Sequence, residues 1–459
     1  MIDGLEIKEC KFSEVLQSTN YFRLEADFFT AENLQGDNIV LAEKYLTRVQ
    51  YGTSEFLNEE KKGYPILRLN EFESYFIKEP AKYCNIISQQ QYEDLRLHKG
   101  DVLICRTNGN PDFVGRAAVI MEDFDYAFAS YLFRVNVSDE ITPEYFVAYL
   151  QSKYGRIEID KNSMKGNQTN FSPAKLKDIK IPCFSNDFCL EITDKFNRAY
   201  DFQQCSKTDY KSAEKMLEES LGINQSSNDS VSIKTLSESF NISGRLDAEY
   251  YQPKYEQYEE IIKNNKLGFT IIKKEFDLIT KKCDRSLEQY PYIEIGDINV
   301  STGVATSNII MTEALPDNAK IMTKVNDVLV STVRPNRGAV SILEEDDLLV
   351  SGAFTVLREK GNYPKEVLLV ILRSELYRDW LLKYNVGTSY PVIKDDDILN
   401  LPLPILDEIL NKEISDKVQE SFRLRKESKK LLDIAIKAVE MAIETDEETA
   451  IAWLKEQGV

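Results

Sequence analysis

Apolar and polar positions divide the chain into stretches of two kinds, and each kind occurs twice. Residues 1–186 carry short apolar runs bounded by turn formers. LRLHKGDVLIC (95–105) reads as a turn and then a buried strand, with GRAAVIM (115–121) and YLFRVNV (131–137) as further strands. TPEYFVAYLQSKYGRIEI (142–159) predicts one helix, with Thr142 as N-cap, Pro143 at the first helical position, and Phe146, Tyr149, Leu150 and Ile157 near helical spacing. The pattern then changes. Phe196, Ala199, Gln203, Ser206, Tyr210, Ala213 and Leu217 recur at spacings of three and four, a heptad-like seam interrupted by two polar positions. GINQSSNDS (222–230) is a polar linker, with Gly222 at the C′ position of the helix it ends.

The second half repeats this order. KVNDVLVSTV (324–333), GAVSIL (338–343) and GAFTVLRE (352–359) predict strands, and YPKEVLLVILRSELYRDWLL (363–382) a helix. A second seam runs through Val418, Ser421, Arg425, Ser428, Leu432, Ala435 and Val439. A capping box at Thr445-Asp-Glu-Glu448 starts a short helix bearing Ala450, Ile451, Trp453 and Leu454. Words repeat as well as patterns. RLEADFF (23–29) returns as RLDAEYY (245–251), DVLI (101–104) as DVLV (327–330), and ITDKF (192–196) as ISDKV (414–418). The RLEADFF and RLDAEYY segments read as strands or arms packed on their own domain, with Arg23 and Arg245 paired to carboxylates.

The expected fold is therefore α+β: two similar mixed α/β domains separated by two long, antiparallel-packed helices, with a pseudo-twofold internal repeat. The boundaries expected are a first domain at 1–186, a helix at 187–221, a linker at 222–231, a second domain at 232–406, a helix at 407–445 and a tail at 446–459. A helix of about 35 residues is about 50 Å long. One turn of duplex DNA is about 34 Å, so a spacer on this scale can place two readers on successive major-groove faces.

Composition narrows the class. No run of about 18 apolar residues occurs and the N-terminus has no secretory pattern, so the expectation is a cytoplasmic protein without a membrane partner. Seven scattered cysteines suit free thiols, and Cys183 and Cys189 have no second pair with which to hold zinc. His98 is the single histidine, which excludes sites needing two. No phosphate-binding glycine loop or dinucleotide fingerprint is present. Pro111-Asp112 and Pro316-Asp317 resemble the start of a nuclease motif but lack a spaced Glu-x-Lys, so both read as turns. A net charge of −19 argues against nucleic acid, yet 57 basic side chains leave room for a local patch.

The order GDVLIC (100–105), VGRAAV (114–119) and GNQTNFSPAKLKDIKIP (166–182), followed by NDVLVSTVRPNRGAV (326–340) and VGTSYPVIKDDDILNLPLP (386–404), resembles the specificity subunits of type I restriction–modification systems. The resemblance covers essentially the whole chain. CFSNDFC (183–189) departs from it by lacking the Pro-rich entry to the helix that LPLPILDEI (401–409) has. The resemblance implies a non-catalytic subunit that reads a bipartite site in double-stranded DNA, one domain per half. It implies no cofactor in this chain and, as partners, two adenine methyltransferase subunits using S-adenosylmethionine and two motor–nuclease subunits using ATP and Mg. The competing reading is an acidic scaffold or DNA-mimicking interaction protein of a related defence system.

Two loops per copy are candidate readers. The loop after the DVLI strand offers Arg106, Asn108 and Asn110, with Arg116 just beyond. The loop after DVLV offers Thr332, Arg334, Asn336 and Arg337. Arginine can grip guanine O6 and N7, and asparagine adenine N6 and N7; NGNP and RPNRG are also turn formers on any fold. The glycine loops offer Lys165, Asn167 and Gln168 in the first copy and Thr388, Ser389 and Tyr390 in the second. Small polar residues beside glycine let a backbone approach a groove closely, and a helix end closed by glycine looks the same. RLRKESKK (423–430) is the densest basic run, and a solvated helix face is the simpler reading of it.

Overall fold

The computed structural model describes residues 9, 11–17, 34, 38–164, 168–222, 231–386 and 390–457. The chain forms two compact units, residues 1–204 with 424–459, and residues 205–423. The RLEADFF segment lies outside the described residues.

In the first unit the strand Val102–Cys105 sits inside an antiparallel sheet ordered Leu46–Tyr51, Leu132–Val137, Val102–Cys105, Ala117–Val119. The continuous apolar run in DVLIC has a direct cause: the strand is buried on both faces. Val102 and Ile104 point to the helices that follow, packing with Phe146, Val147 and Leu150. Leu103 and Cys105 point the other way, to a cluster containing Ile66, Leu67 and Phe128. That second cluster belongs to a small sheet in which Tyr64–Leu67 pairs parallel with Ala127–Phe128.

The second unit repeats the strand order of the main sheet in its own residues, beside a small sheet of four strands where the first has three. Its sheet runs Phe276–Leu278, Phe354–Glu359, Val328–Ser331, Val340–Ile342. Val328 and Val330 face the helices, Leu329 faces the small sheet, and Gln289–Ile293 pairs parallel with Leu349–Ser351. The Ile-Pro and Leu-Pro motifs are edge pairings, Lys180–Pro182 on Ile39–Leu41 and Pro402–Pro404 on Phe269–Ile271.

An ion pair on a buried carboxylate pins each central strand. Asp101 Oδ2 accepts from the His98 backbone N–H at 2.9 Å, closing the turn before the strand, and pairs with Arg134 on the neighbouring strand at 2.9 Å. Asp327 does the same in the second unit. It accepts from Lys324 N–H at 2.8 Å and holds the Arg358 fork with two bonds of 2.7 Å.

The single helix expected over 142–159 is two helices, Pro143–Gln151 and Lys153–Asn162. Ser152 turns the chain between them in extended geometry, its Oγ donating to Tyr149 O at 2.7 Å and accepting from Gly155 N at 3.2 Å. A Cβ on Gly155 would stand 1.9 Å from Tyr149 O, so the second helix can start this close only on glycine. Ser374 breaks the equivalent helix in the same way, between Lys365–Arg373 and Glu375–Leu381. Apolar spacing carried across both joins because the two short helices cover one core.

The long helices run Asn186–Leu221 and Glu408–Glu444. Every seam position of the first is buried, including Gln203 and Ser206. In the second, Arg425 is only half-buried, while Leu424 and Leu431 are buried beside the seam. The polar positions are bonded. Ser421 Oγ donates to Ser206 O at 2.9 Å in the second unit, and Ser428 Oγ donates to Ala199 O at 2.7 Å in the first. With Lys417 on Asp209 at 2.7 Å, the pairing within the second unit is antiparallel. The final helix, Glu447–Glu456, is capped by Asp446 accepting from Thr449 N at 2.8 Å, one residue later than the expected cap at Thr445. Thr445 instead donates back to Met441 O, ending the preceding helix.

Asp101→Ala strands the Arg134 guanidinium in the core and is expected to cost about 3 kcal/mol of stability in urea unfolding. Asp327→Ala is expected to cost less, because the Arg358 side chain is 36% exposed and can recover water.

Candidate functional site

The two candidate loops of each unit meet at the exit of the central strand. In the first unit, Thr107–Asn108 pairs antiparallel with Thr169–Asn170, and Phe171 N–H donates to Arg106 O at 2.7 Å. Thr107 Oγ1 adds a bond to Thr169 O at 3.1 Å. In the second unit Val333 bridges Val392, Ile393 N–H donates to Thr332 O at 2.9 Å, and Arg334 N–H donates to Pro391 O at 2.8 Å. Segments some 60 residues apart in sequence thus form one short ribbon in each unit.

These pairings fix which residues correspond. Arg106 matches Thr332, Asn108 matches Arg334, and Gln168 matches Tyr390. The two prominent arginines therefore hold different places. Thr332 is buried and spends its hydroxyl on Ala353 O at 2.9 Å, so it anchors the strand end and is not an outward group. Arg106 lies over the Tyr51 ring at 5.3 Å, with its Nε buried and unpartnered. Asn108 accepts from Asn110 N at 2.8 Å and Asn110 from Asp112 N at 3.0 Å, so both side chains build the turn leading to the single helical turn Pro111–Phe113. Gln168 is exposed. Lys165 and Asn167 lie outside the described residues, as do Thr388 and Ser389.

The return of each loop is a left-handed glycine, Gly115 at φ 76° and Gly338 at φ 73°. Behind each lies an arginine that the sequence reading missed. Arg156 donates to Val114 O at 2.9 Å and reaches Asp160 at 3.6 Å, while the Arg378 stem packs against Gly338. Both occupy the same position of the second short helix, and their spacing from the Ser152 and Ser374 breaks was the available signal. Arg116 is exposed over the Phe113 ring at 4.0 Å; lost hydration, and then the like charge of Arg156, hold its guanidinium below the ordinary value. Arg106, Arg116 and Arg156 around one loop, and Arg334, Arg337 and Arg378 around the other, localise positive charge on a chain that is acidic overall.

Arg334 stands apart. Its backbone is left-handed at φ 50°, ψ 52°, and its guanidinium lies 5.1 Å from the ring centre of Tyr390, both side chains exposed. Asn336 and Arg337 are exposed on the helical turn Pro335–Arg337 that follows.

Other candidates resolve into structure. Arg245 holds Asp247 through bonds of 2.8 and 2.7 Å and lies over Tyr250, the packed arm expected of that motif. His98 is an exposed turn residue 3.5 Å from Asp123. Among the described residues, no group of three or more His, Cys, Asp or Glu could hold a metal ion, and no helix is long and apolar enough to cross a membrane. A cavity of about 660 Å³ in the first unit is lined by residues including Ile39, Phe184, Ile443 and Glu447, none of them from the candidate loops.

Fold and site together define an α+β protein of two like units, each with a paired-loop ribbon at its central strand, completed by antiparallel long helices. The type I restriction enzyme EcoKI specificity subunit of Escherichia coli (strain K12) is 26% identical over 116 residues, which is 25% of this chain and 25% of that protein. The match thus spans about a quarter of the curated relative's length, and the likeness read from the repeated motifs is found again in it. The S subunit of a type I restriction–modification system from M. genitalium aligns over 90% of this chain and 97% of its own, at 13% identity and a TM-score of 0.39. The HsdS subunit from Thermoanaerobacter tengcongensis aligns over 89% and 96%, at 13% and 0.29. No family model matches the chain.

Gly338→Ala places a Cβ 2.8 Å from the Arg378 stem on left-handed backbone. It is expected to cost about 1 kcal/mol or more in thermal unfolding. An unchanged melting curve would show that the loop closure is not held there.

Proposed function

We propose that the chain is the DNA-reading specificity subunit of a type I restriction–modification complex. The observation that carries this reading is the recurrence, in each unit, of a two-loop ribbon ringed by guanidinium groups at the end of a rigid buried strand. Such a ribbon presents its side chains from fixed backbone, as groove readout requires. Each unit reads one half of a bipartite duplex, the first through Arg106, Arg116 and Gln168 with the turn built by Asn108 and Asn110, the second through Arg334, Asn336, Arg337 and Tyr390. The name of the E. coli relative supports the assignment. The chain acts without catalysis of its own: the long helices dock two adenine methyltransferase subunits that use S-adenosylmethionine, and two motor–nuclease subunits supply ATP-driven restriction. Methyl transfer requires the target adenine to leave the stack, which the partner performs while this chain holds the register.

The acidic balance supports a second reading, an interaction scaffold that excludes or mimics DNA. One experiment separates the two. Purified alone, the chain is expected to bind duplex weakly. Co-purified with an adenine methyltransferase, it is expected to bind a two-part site tightly, with affinity falling steeply as salt rises. A complex that prefers no duplex over competitor DNA favours the scaffold instead.

A further inference from the structure

We infer that Arg334 reads a guanine in the major groove, and that this contact belongs to the second unit alone. The inference rests on the DNA-reading function proposed above and names the base recognised at one position of one half-site.

Four features separate Arg334 from an ordinary surface arginine. Its backbone is held from both sides, with its own N–H on Pro391 O at 2.8 Å and Ile393 N–H on Thr332 O at 2.9 Å. Its φ of 50° is a conformation that side-chain-bearing residues adopt at a cost of order 1 kcal/mol. In the first unit the corresponding residue, Asn108, lies in a short strand without the left-handed backbone and braces the turn by accepting from Asn110 N. Arg334 offers the turn no such side-chain bond. Its guanidinium sits over the exposed Tyr390 ring, 5.1 Å from the ring centre. Stacking orders a long side chain before any ligand arrives, and so lowers the entropy lost on binding. Its charge is also available. Arg245 and Arg358 of the same unit are gripped by Asp247 and Asp327, whereas among the described residues no carboxylate pairs with Arg334.

A planar, pre-ordered fork with free N–H donors matches the two acceptors, O6 and N7, that guanine shows in the major groove. A phosphate contact needs only a mobile positive charge and gains little from the fixed plane. In the first unit the matching pair is Asn108 and Gln168, two carboxamides, so the arginine–guanine contact has no counterpart there. The two half-sites therefore differ at this position.

The test uses the full chain in complex with its methyltransferase, acting on a duplex library randomised across the site and read by sequencing of methylated products. Arg334→Ala is expected to erase a guanine preference at one position of one half-site. Methylation of the cognate duplex should fall on the order of 10–100-fold, with the other half-site and the melting temperature unchanged. Arg334→Lys is expected to behave like alanine, because it keeps the charge and loses the fork. Equal weakening on every sequence, or wild-type preference in the lysine variant, overturns the inference in favour of a phosphate contact. A wild-type complex with no sequence preference at all removes the proposed function itself, which is a different result.

Discussion

The carboxylate buried at the start of each central strand is the constraint on which the rest is built. Asp101 and Asp327 each close a turn and grip an arginine on the next strand. A buried charge is tolerable only with a full set of partners, so strand, turn and neighbouring strand cannot shift independently. Register then propagates outward. Once Val102 and Val328 are placed, alternate residues are committed to the helix layer and to the small sheet, and the strand exits are fixed where the loops must leave. The repeated word DVL thus marks a structural pin, and the variable chemistry begins two or three residues beyond it.

Small residues govern the long helices in a comparable way. Ala199, Ser206, Ser421 and Ser428 allow a hydroxyl to reach a carbonyl of the facing helix, so polar seam positions are bonded and not orphaned. The exchange is reciprocal along the repeat. Ser421, the counterpart of Ala199, bonds Ser206 in one unit, and Ser428, the counterpart of Ser206, bonds Ala199 in the other. An apolar seam would supply more burial but less specification of which turn faces which.

Much of this was legible in the sequence because it depended on local period and on duplication. The fully buried strands announced themselves as unbroken apolar runs, and the long helices as spacings of three and four. The break at Ser152 was hidden because apolar periodicity survives a capped join; the signal was the glycine three residues later. The inward role of Thr332 was hidden because alignment by strand and alignment by arginine disagree, and only the ribbon pairing with 391–393 decides between them. Arg156 and Arg378 were missed because their loops lie some 40 residues away in sequence. The cap at Asp446 was misplaced by one residue because threonine and aspartate are adjacent and both can serve.

The repeat and the compact units are out of step. Each unit takes its sheets from one copy but its helical wall from both long helices, since the boundaries fall at 204–205 and 423–424 inside them. Cleaving at the polar linker near Gly222 would therefore not release two finished halves. The N-terminal fragment would lack Leu431, Leu432, Ala435 and Val439 against Phe196 and Ala199, and the C-terminal one would lack Tyr210, Ala213 and Leu217 against Val418. The gene can be read as a tandem, but the folded product is interlaced, and evolution by exchanging one copy must preserve a wall that the other copy helps to build.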